Sequence, residues 1–467
     1  MSPAALFRPL GALWVLVALI ALLAAACAPA VEEWHLAPFF ITTAGLAFVP
    51  GAFVLAATRG VQVGASALDA LGLALLAWVT TPAFAALPFW LTGYFGPMDA
   101  LFEAYSALTT TGATLLPAGE LPRSLIFWRA VLAWLGGYAT LLLAIAVFAA
   151  LDRDVPAIRK SALLTVRPDN ILSHLPVAAR RVGLVYAVLT AVTWLMLLFA
   201  GNGFFDASVL AMSAISTSGY APVDGGLATN FGTISMLIVA LACLAGTVNI
   251  ALFWDALRDR GVLRDPDLAG IAALVIGLGA LYVIADTSHI PSHFIDAFFV
   301  VSTSGYTVSA PASPVPVAAV FVALVGGAAA STTGGVKISR ILLLWRRMGS
   351  ELAVLTDPSS LVPVTFRGRS VRDTALIGIW AYVLGFLACL GLGALVLTLA
   401  GLDFQTAFLA NAAALANAGP LLHETNAGHG WDELADKAKP ILISAMILGR
   451  LEVLAAVAAI WALFIRK

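Results

Sequence analysis

The chain has 467 residues, of which 61% are hydrophobic and 11% charged, and its mean hydropathy is +0.97. Soluble domains carry about 45–50% apolar and roughly 25% charged residues, so a soluble globule is excluded, as is a disordered chain, which would be rich in charge. The formal charge of −1, from 25 Lys+Arg against 26 Asp+Glu, excludes nucleic acid as a partner, because binding it needs a basic surplus. What remains is an all-α polytopic membrane protein whose constant partner is the lipid bilayer.

The first apolar run, 9–29, follows Arg8 and contains AAAC at Cys27, a weak likeness to a lipoprotein cleavage box. It reaches about 20 residues, longer than the roughly 7–15 of a signal core, and a second run follows closely. The spacing therefore predicts a first membrane helix, not a leader. Further spans are expected at 36–58, 66–93, 122–150, 181–200, 228–254, 267–285, 315–348, 374–400 and 440–465, ten in all. Cys27, Cys243 and Cys389 each sit in an apolar stretch without metal-ligand spacing and read as small buried residues.

Lys and Arg settle orientation. One set of connections holds nineteen of them: Arg8, Arg59, Arg153, Arg159, Lys160, Arg167, Arg180, Arg181, Arg258, Arg260, Arg264, Arg340, Arg346, Arg347, Arg367, Arg369, Arg372, Arg466 and Lys467. The opposite set holds three, Arg123, Lys437 and Lys439. Both termini are expected in the cytoplasm, consistent with an even number of spans.

Between the long runs lie four shorter segments: DALFEAYSALTTTGAT from Asp99, DASVLAMSAISTSGYA from Asp206, DAFFVVSTSGYT from Asp296 and DFQTAFLANAAALANAGP from Asp403. Each opens on Asp and closes on Gly, with separations of 13, 13, 9 and 16 residues. They are too short to span and too apolar for an exposed loop. Re-entrant half-helices followed by extended backbone are expected, since such backbone survives at membrane depth only inside protein or against water. The Asp is expected to cap the half-helix N-terminus. The negative end then points at the membrane centre, where it favours a cation. The Thr/Ser/Gly run after it can offer backbone carbonyls in place of an ion's hydration shell. No acidic ring lies beside the glycines, which argues against a divalent ion. The unit helix, half-helix, loop, helix is thus used four times around a central pore. Its domains are 1–60 (two N-terminal helices), 61–152, 153–262, 263–352 (with an interrupted second helix) and 353–467.

Other residues stand out. Arg450 lies inside an apolar run, where a guanidinium is costly in lipid. It is readable as a barrier to cations, or as a partner for a buried carboxylate or helix-end carbonyls. Glu452, two residues on, cannot be its side-by-side partner. Gly326, Gly327, Gly334 and Gly335 bracket Ser331, Thr332 and Thr333, with Lys337 following, a poor continuous helix. An intramembrane gating loop is expected there, against small-residue helix packing as the other reading. Arg129 could snorkel outward. His289 and His293 are four apart, but Pro291 argues against a helical metal pair. His423 and Glu424, like Asp286 and His289, lack the spacing of a catalytic pair, so an enzyme is not expected.

The chain resembles the Trk/Ktr/HKT superfamily of potassium transporters and looks most like its bacterial TrkH-type membrane subunit. The resemblance rests on TTTGAT (109–114), STSGYA (216–221), STSGYT (302–307) and ANAGP (416–420). FWRAVLAWLGG (127–137), GGAAASTTGGVKISR (326–340) and GRLE (449–452) add to it. It implies a potassium filter made of Thr110, Thr111 and Gly112, Thr217, Ser218 and Gly219, Thr303, Ser304 and Gly305, and Asn417, Ala418 and Gly419. Gly112, in place of Ser, goes in this superfamily with potassium over sodium. The resemblance also favours the barrier role for Arg450. It implies potassium as cargo with no organic cofactor in the chain, a homodimer, a cytosolic nucleotide-binding regulatory subunit, and the inner membrane of a bacterium. The chain itself has no phosphate-binding Gly-rich motif. The 350–372 connection, with Arg367, Arg369 and Arg372, is a candidate surface for that subunit. Two departures are visible: the fourth loop reads Gly419-Pro420-Leu421 where the family often has Gly-Pro-Gly, and the third runs Thr307-Val308-Ser309-Ala310 without the frequent acidic residue. A sodium, mixed sodium/potassium or proton-coupled pathway of the same fold is the alternative.

Overall fold

The computed structural model describes residues 3–60, 67–151, 171–256, 264–308, 313–357, 359, 362–425, 430–451 and 456. The basic stretch 153–167, Arg258, Arg260, Ser309-Ala310, Glu452, Arg466, Lys467 and most of the last span beyond 451 lie outside the described residues.

An N-terminal hairpin, α1 (Pro3–Cys27) and α2 (Ala37–Ala57), precedes α3 (Ala67–Ala85) and the short α4 (Leu87–Leu91). A first short helix α5 (Pro97–Leu108) leads to α6 (Arg123–Leu151); α7 (Ile171–Phe199), α8 (Phe204–Ser216) and α9 (Leu227–Thr247) repeat the order long, short, long. After α10 (Ile250–Ala256) come α11 (Pro266–Ala285), the short α12 (Ile290–Val301), α13 (Pro316–Val325) and α14 (Ile338–Thr356). A hairpin of β1 (Thr365–Phe366) and β2 (Arg369–Ser370), paired antiparallel, precedes α15 (Asp373–Leu399). The short α16 (Phe404–Leu415), α17 (Leu421–Thr425) and α18 (Lys439–Leu451) complete the described chain. Eight helices among the described residues are long and apolar enough to cross a membrane.

Burial is inverted relative to a soluble protein. Leu19, Phe48, Phe53, Leu184, Phe199, Ile284, Leu395 and Leu399 stand exposed on α1, α2, α7, α11 and α15, whereas Thr109–Thr111, Thr217, Ser218, Thr303, Ser304 and Asn417 are buried. Apolar side chains facing outward and polar ones inward suit a lipid surround. The N-terminal hairpin is fastened to the rest by Glu33, whose carboxylate accepts from Arg123 N (2.8 Å), Ser124 N (2.9 Å) and Ser124 Oγ (2.6 Å) and so caps α6 from outside.

Three expectations need correction. The span at 315–348 is two helices separated by non-helical residues 326–337, because four glycines and a run of Ser/Thr find better partners outside a helix. The span at 228–254 ends at Thr247, and α10 starts afresh at Ile250. The opening Asp residues do not share one role. Asp403 caps α16 by accepting from Thr406 N at 3.0 Å, but Gly96 and Gly203 hold that position for α5 and α8. Asp296 lies in the middle of α12, because that helix starts at Ile290 with Pro291 in its first turn, where a missing N–H costs nothing.

Candidate functional site

The four short helices end alike. In each, the residue two before the loop glycine adopts a left-handed backbone: Thr110 (φ 51°), Thr217 (φ 54°), Thr303 (φ 56°) and Asn417 (φ 49°). Its N–H bonds three residues back, to Ala107, Ala214, Val300 and Ala414 respectively. The next N–H bonds five residues back: Thr111 to Ser106 (2.8 Å), Ser218 to Ser213 (3.0 Å), Ser304 to Phe299 (3.2 Å) and Ala418 to Ala413 (2.8 Å). This pair of bonds is the Schellman helix stop, which glycine usually serves. Here Thr and Asn bear the strain, of order 1–3 kcal/mol each, and the glycine is kept for two residues later.

The loops then pack in cyclic order. A methyl group on Gly112 would overlap the Ser218 carbonyl oxygen; on Gly219 it would overlap Ser304 O, on Gly305 it would meet Pro420, and on Gly419 it would meet Ala113. All twelve filter candidates are thereby brought together. The first three loops also share a hydroxyl pair: Thr109–Thr111 (2.7 Å), Ser216–Ser218 (3.1 Å) and Ser302–Ser304 (2.8 Å). Loop four, with Ala416 and Ala418, has none. Its Gly419 lies outside the left-handed region that Gly112, Gly219 and Gly305 occupy, and its N–H donates to Thr111 O at 2.6 Å. One carbonyl of the candidate filter is thus already engaged by its neighbour.

Residues 326–337 lie against the feet of these loops, with Ala328 to Gly334 buried. Thr332 Oγ1 donates to Ile215 O (3.1 Å) and Gly246 O (3.0 Å) and sits 3.2 Å from Thr217 Oγ1. Gly334 N donates to Thr303 Oγ1 at 3.1 Å, and a methyl there would overlap Ala416 O. The interrupted segment therefore touches loops two, three and four, and Arg450 supplies the first. Its guanidinium donates to Thr109 O and Thr110 Oγ1 on one side, and to Thr332 O (2.6 Å) and Thr333 O (3.3 Å) on the other. Of its possible partners, helix-end and loop carbonyls are those found, with the Thr110 hydroxyl beside them, and its acceptors among the described residues include no carboxylate. Lys337 folds back onto Thr333 O, with Ser331 Oγ at 3.4 Å. A cavity of about 30 Å³ bounded by Ser331, Thr333, Lys337 and Arg450 adjoins the segment, room for about one water.

Other expectations resolve differently. Arg129 does not snorkel. It is buried and pairs with Glu103 at 2.9 Å, while both terminal nitrogens reach Leu116 O (3.2 and 3.3 Å). Sequence reasoning missed Glu103; the signal was an acid and a basic residue, each in an apolar helix of the same repeat. Arg367 is not available as a partner surface, because it is held by Asp265 and Asp267, both at 2.8 Å. Arg369 and Arg372 are exposed. His289 precedes α12 and His293 faces Asp286 at 3.5 Å; no metal-capable group of three occurs among the described residues.

With this geometry in hand, comparison with known proteins is specific. The family model for TrkH, a cation transport protein, matches residues 63–271 and 279–463. The chain belongs to the TrkH family. Its relatives include the Trk system potassium uptake protein TrkH of Halomonas elongata, 30% identical over 448 residues with 92% of each chain covered. The protein of the same description from Escherichia coli K12 is 29% identical, covering 81% of this chain and 82% of that one. The crystal structure of the potassium transporter TrkH from Vibrio parahaemolyticus superposes with a TM-score of 0.87 at 26% identity, covering 98% of both chains. As a TrkH-family member the chain is a transporter and not an enzyme.

Proposed function

We propose that the chain takes potassium up across the cytoplasmic membrane of a bacterium. In this reading the ion passes through a filter formed by Thr110–Gly112, Thr217–Gly219, Thr303–Gly305 and Asn417–Gly419, in four helix–loop–helix repeats that make ten spans with the N-terminal pair. The observation that carries the reading is the same strained helix stop, four times over, with its glycines packed in a closed cycle. Backbone oxygens held by such stops can replace the hydration shell of a bare alkali ion. The names of the Halomonas and Escherichia relatives supply potassium as the cargo.

The segment 326–337 is the gate, and Arg450 both staples it to the filter and opposes cations with its charge. Opening moves the segment away from Thr217 and Thr303. In this reading the signal to open comes from a cytosolic nucleotide-binding subunit acting on a homodimer. The Trk system in the relatives' names fits that division of labour, and exposed Arg369 and Arg372 offer it a contact surface.

The test is growth at limiting potassium in an uptake-deficient host, with and without Gly112→Ser. The wild-type chain, given a regulatory subunit, restores growth, and the variant does so poorly in the presence of sodium. Absence of growth with the regulator present rejects the reading. The departures in loop four favour a second reading, mixed sodium/potassium passage, which the same assay reports as sodium influx through the unaltered chain.

A further inference from the structure

Two carboxylates occupy one register in the repeats. Glu103 stands nine residues before Gly112, and Asp296 nine before Gly305. Each reaches the amide three residues beyond its glycine: Glu103 Oε1 accepts from Leu115 N at 2.7 Å, and Asp296 Oδ1 accepts from Val308 N at 2.7 Å. In the other repeats the same register holds Leu210 and Ala410, which cannot accept a hydrogen bond. The loops contact one another in the order one, two, three, four, so the carboxylate-bearing pair lies on one diagonal of the cycle.

We infer that Glu103 and Asp296 are positioning residues that fix the filter's width across this diagonal and thereby its preference for potassium over sodium; the inference rests on the uptake reading above. The bond from each carboxylate spans the whole loop, closing twelve residues back onto the helix that launches them. An ionised acceptor makes a shorter and stiffer bond than a neutral one. Discrimination between ions of similar size needs either a filter of fixed width or oxygens of fixed number and direction. A clamp on the outgoing strand supplies both. On the first loop it is doubled, since Arg129 grips Glu103 and Leu116 O together. On the alternate loops the filter strand is held through neutral acceptors: Tyr306 Oη donates to Tyr220 O at 2.9 Å and Trp431 Nε1 to Gly419 O at 2.9 Å, while the Asp224 carboxylate of loop two accepts from Ala118 N and Gly119 N (both 2.7 Å) and does not close back onto its own helix. Stiffness is thus concentrated on one diagonal.

The test uses the purified full chain in liposomes, reading potassium and sodium influx per folded protein. Asp296→Ala lowers the potassium-to-sodium ratio about tenfold while maximal potassium flux stays within about threefold, a loss of ~1.4 kcal/mol of discrimination. Asp296→Asn, which keeps an oxygen acceptor for Val308 N but a neutral one, restores only part of the ratio. Glu103→Gln lowers it less, and Glu103→Gln with Asp296→Ala deviates from the sum of the single effects, because both act on one width. A ratio unchanged in Asp296→Ala overturns the inference, as does equal loss in the Ala and Asn variants, since the bond to Val308 N would then contribute nothing to selectivity. An unaltered chain that fails to prefer potassium rejects the uptake reading itself, a result visible before any variant is made.

Discussion

The strain at Thr110, Thr217, Thr303 and Asn417 bears on what a larger residue at the loop glycine would do. Each loop already carries one L-residue at positive φ, and Gly112 adds a second at φ 75°. A side chain there costs about 1–2 kcal/mol in backbone strain alone, and its Cβ meets the Ser218 carbonyl oxygen. Gly112→Ser therefore pushes that carbonyl off its position, and the potassium-to-sodium influx ratio falls roughly tenfold, which competition with the two ions in a flux assay measures. Arg450 makes the opposite case. Arg450→Gln removes the positive charge and most of the bonds to Thr109, Thr110, Thr332 and Thr333 while keeping much of the volume. A unit charge about 4 Å away is worth about 4 kcal/mol at an effective dielectric of 20, so the variant passes potassium faster at saturating concentration and unfolds at a lower temperature. An uptake rate equal to or below the unaltered one removes the charge barrier from the mechanism. The glycines are readable from composition because only Gly recurs there. The left-handed threonines are not, because Thr is unremarkable in extended backbone and only the hydrogen bonds five residues back force it out of that region.

At the scale of elements, the interrupted helix is legible in the Gly pairs and Ser331–Thr333, since nothing in that run favours helix. Where the segment goes is not legible. Its partners Ile215 and Gly246, on α8 and α9, lie 117 and 86 residues earlier, and Thr303, just after α12, lies 31 earlier. The same holds for Arg367. Read as a sequence it is one more cytoplasmic basic residue, because the acids that neutralise it, Asp265 and Asp267, lie about a hundred residues earlier at the start of α11. The pair joins the β-hairpin before α15 to the N-terminus of α11 and so links repeats three and four. Removing one partner of a buried ion pair costs about 3–5 kcal/mol, because the remaining charge stays buried. Arg367→Ala therefore lowers the unfolding temperature by several degrees in detergent, whereas Arg369→Ala, on the exposed strand beside it, leaves the temperature unchanged and weakens regulator binding instead. Equal melting temperatures for Arg367→Ala and the unaltered chain would mean the pair holds nothing together.

For the whole molecule, the direction of the path depends on which side of the bilayer the interrupted segment faces. Arg264, Arg340, Arg346, Arg347, Arg369 and Arg372 lie on the side of α11, α14 and the hairpin, and Arg8 and Arg59 lie at the ends of the N-terminal pair. Basic residues are retained in the cytoplasm, so in the proposed reading the gate faces inward and the filter mouth outward. The four short helices then enter from the outer face and aim their negative ends at the membrane centre. Labelling intact cells with a membrane-impermeant thiol reagent tests this arrangement. With Cys27, Cys243 and Cys389 replaced by Ala, a cysteine substituted at exposed Gly201, in the turn between α7 and α8, reacts from outside. One substituted at exposed Arg59, after α2, reacts only once the cells are opened. The reverse pattern would put Arg450 and Lys337 on the outer side of the filter, where a cytosolic regulator could not reach the gate, and the proposed control by that subunit would fail even if potassium still passed.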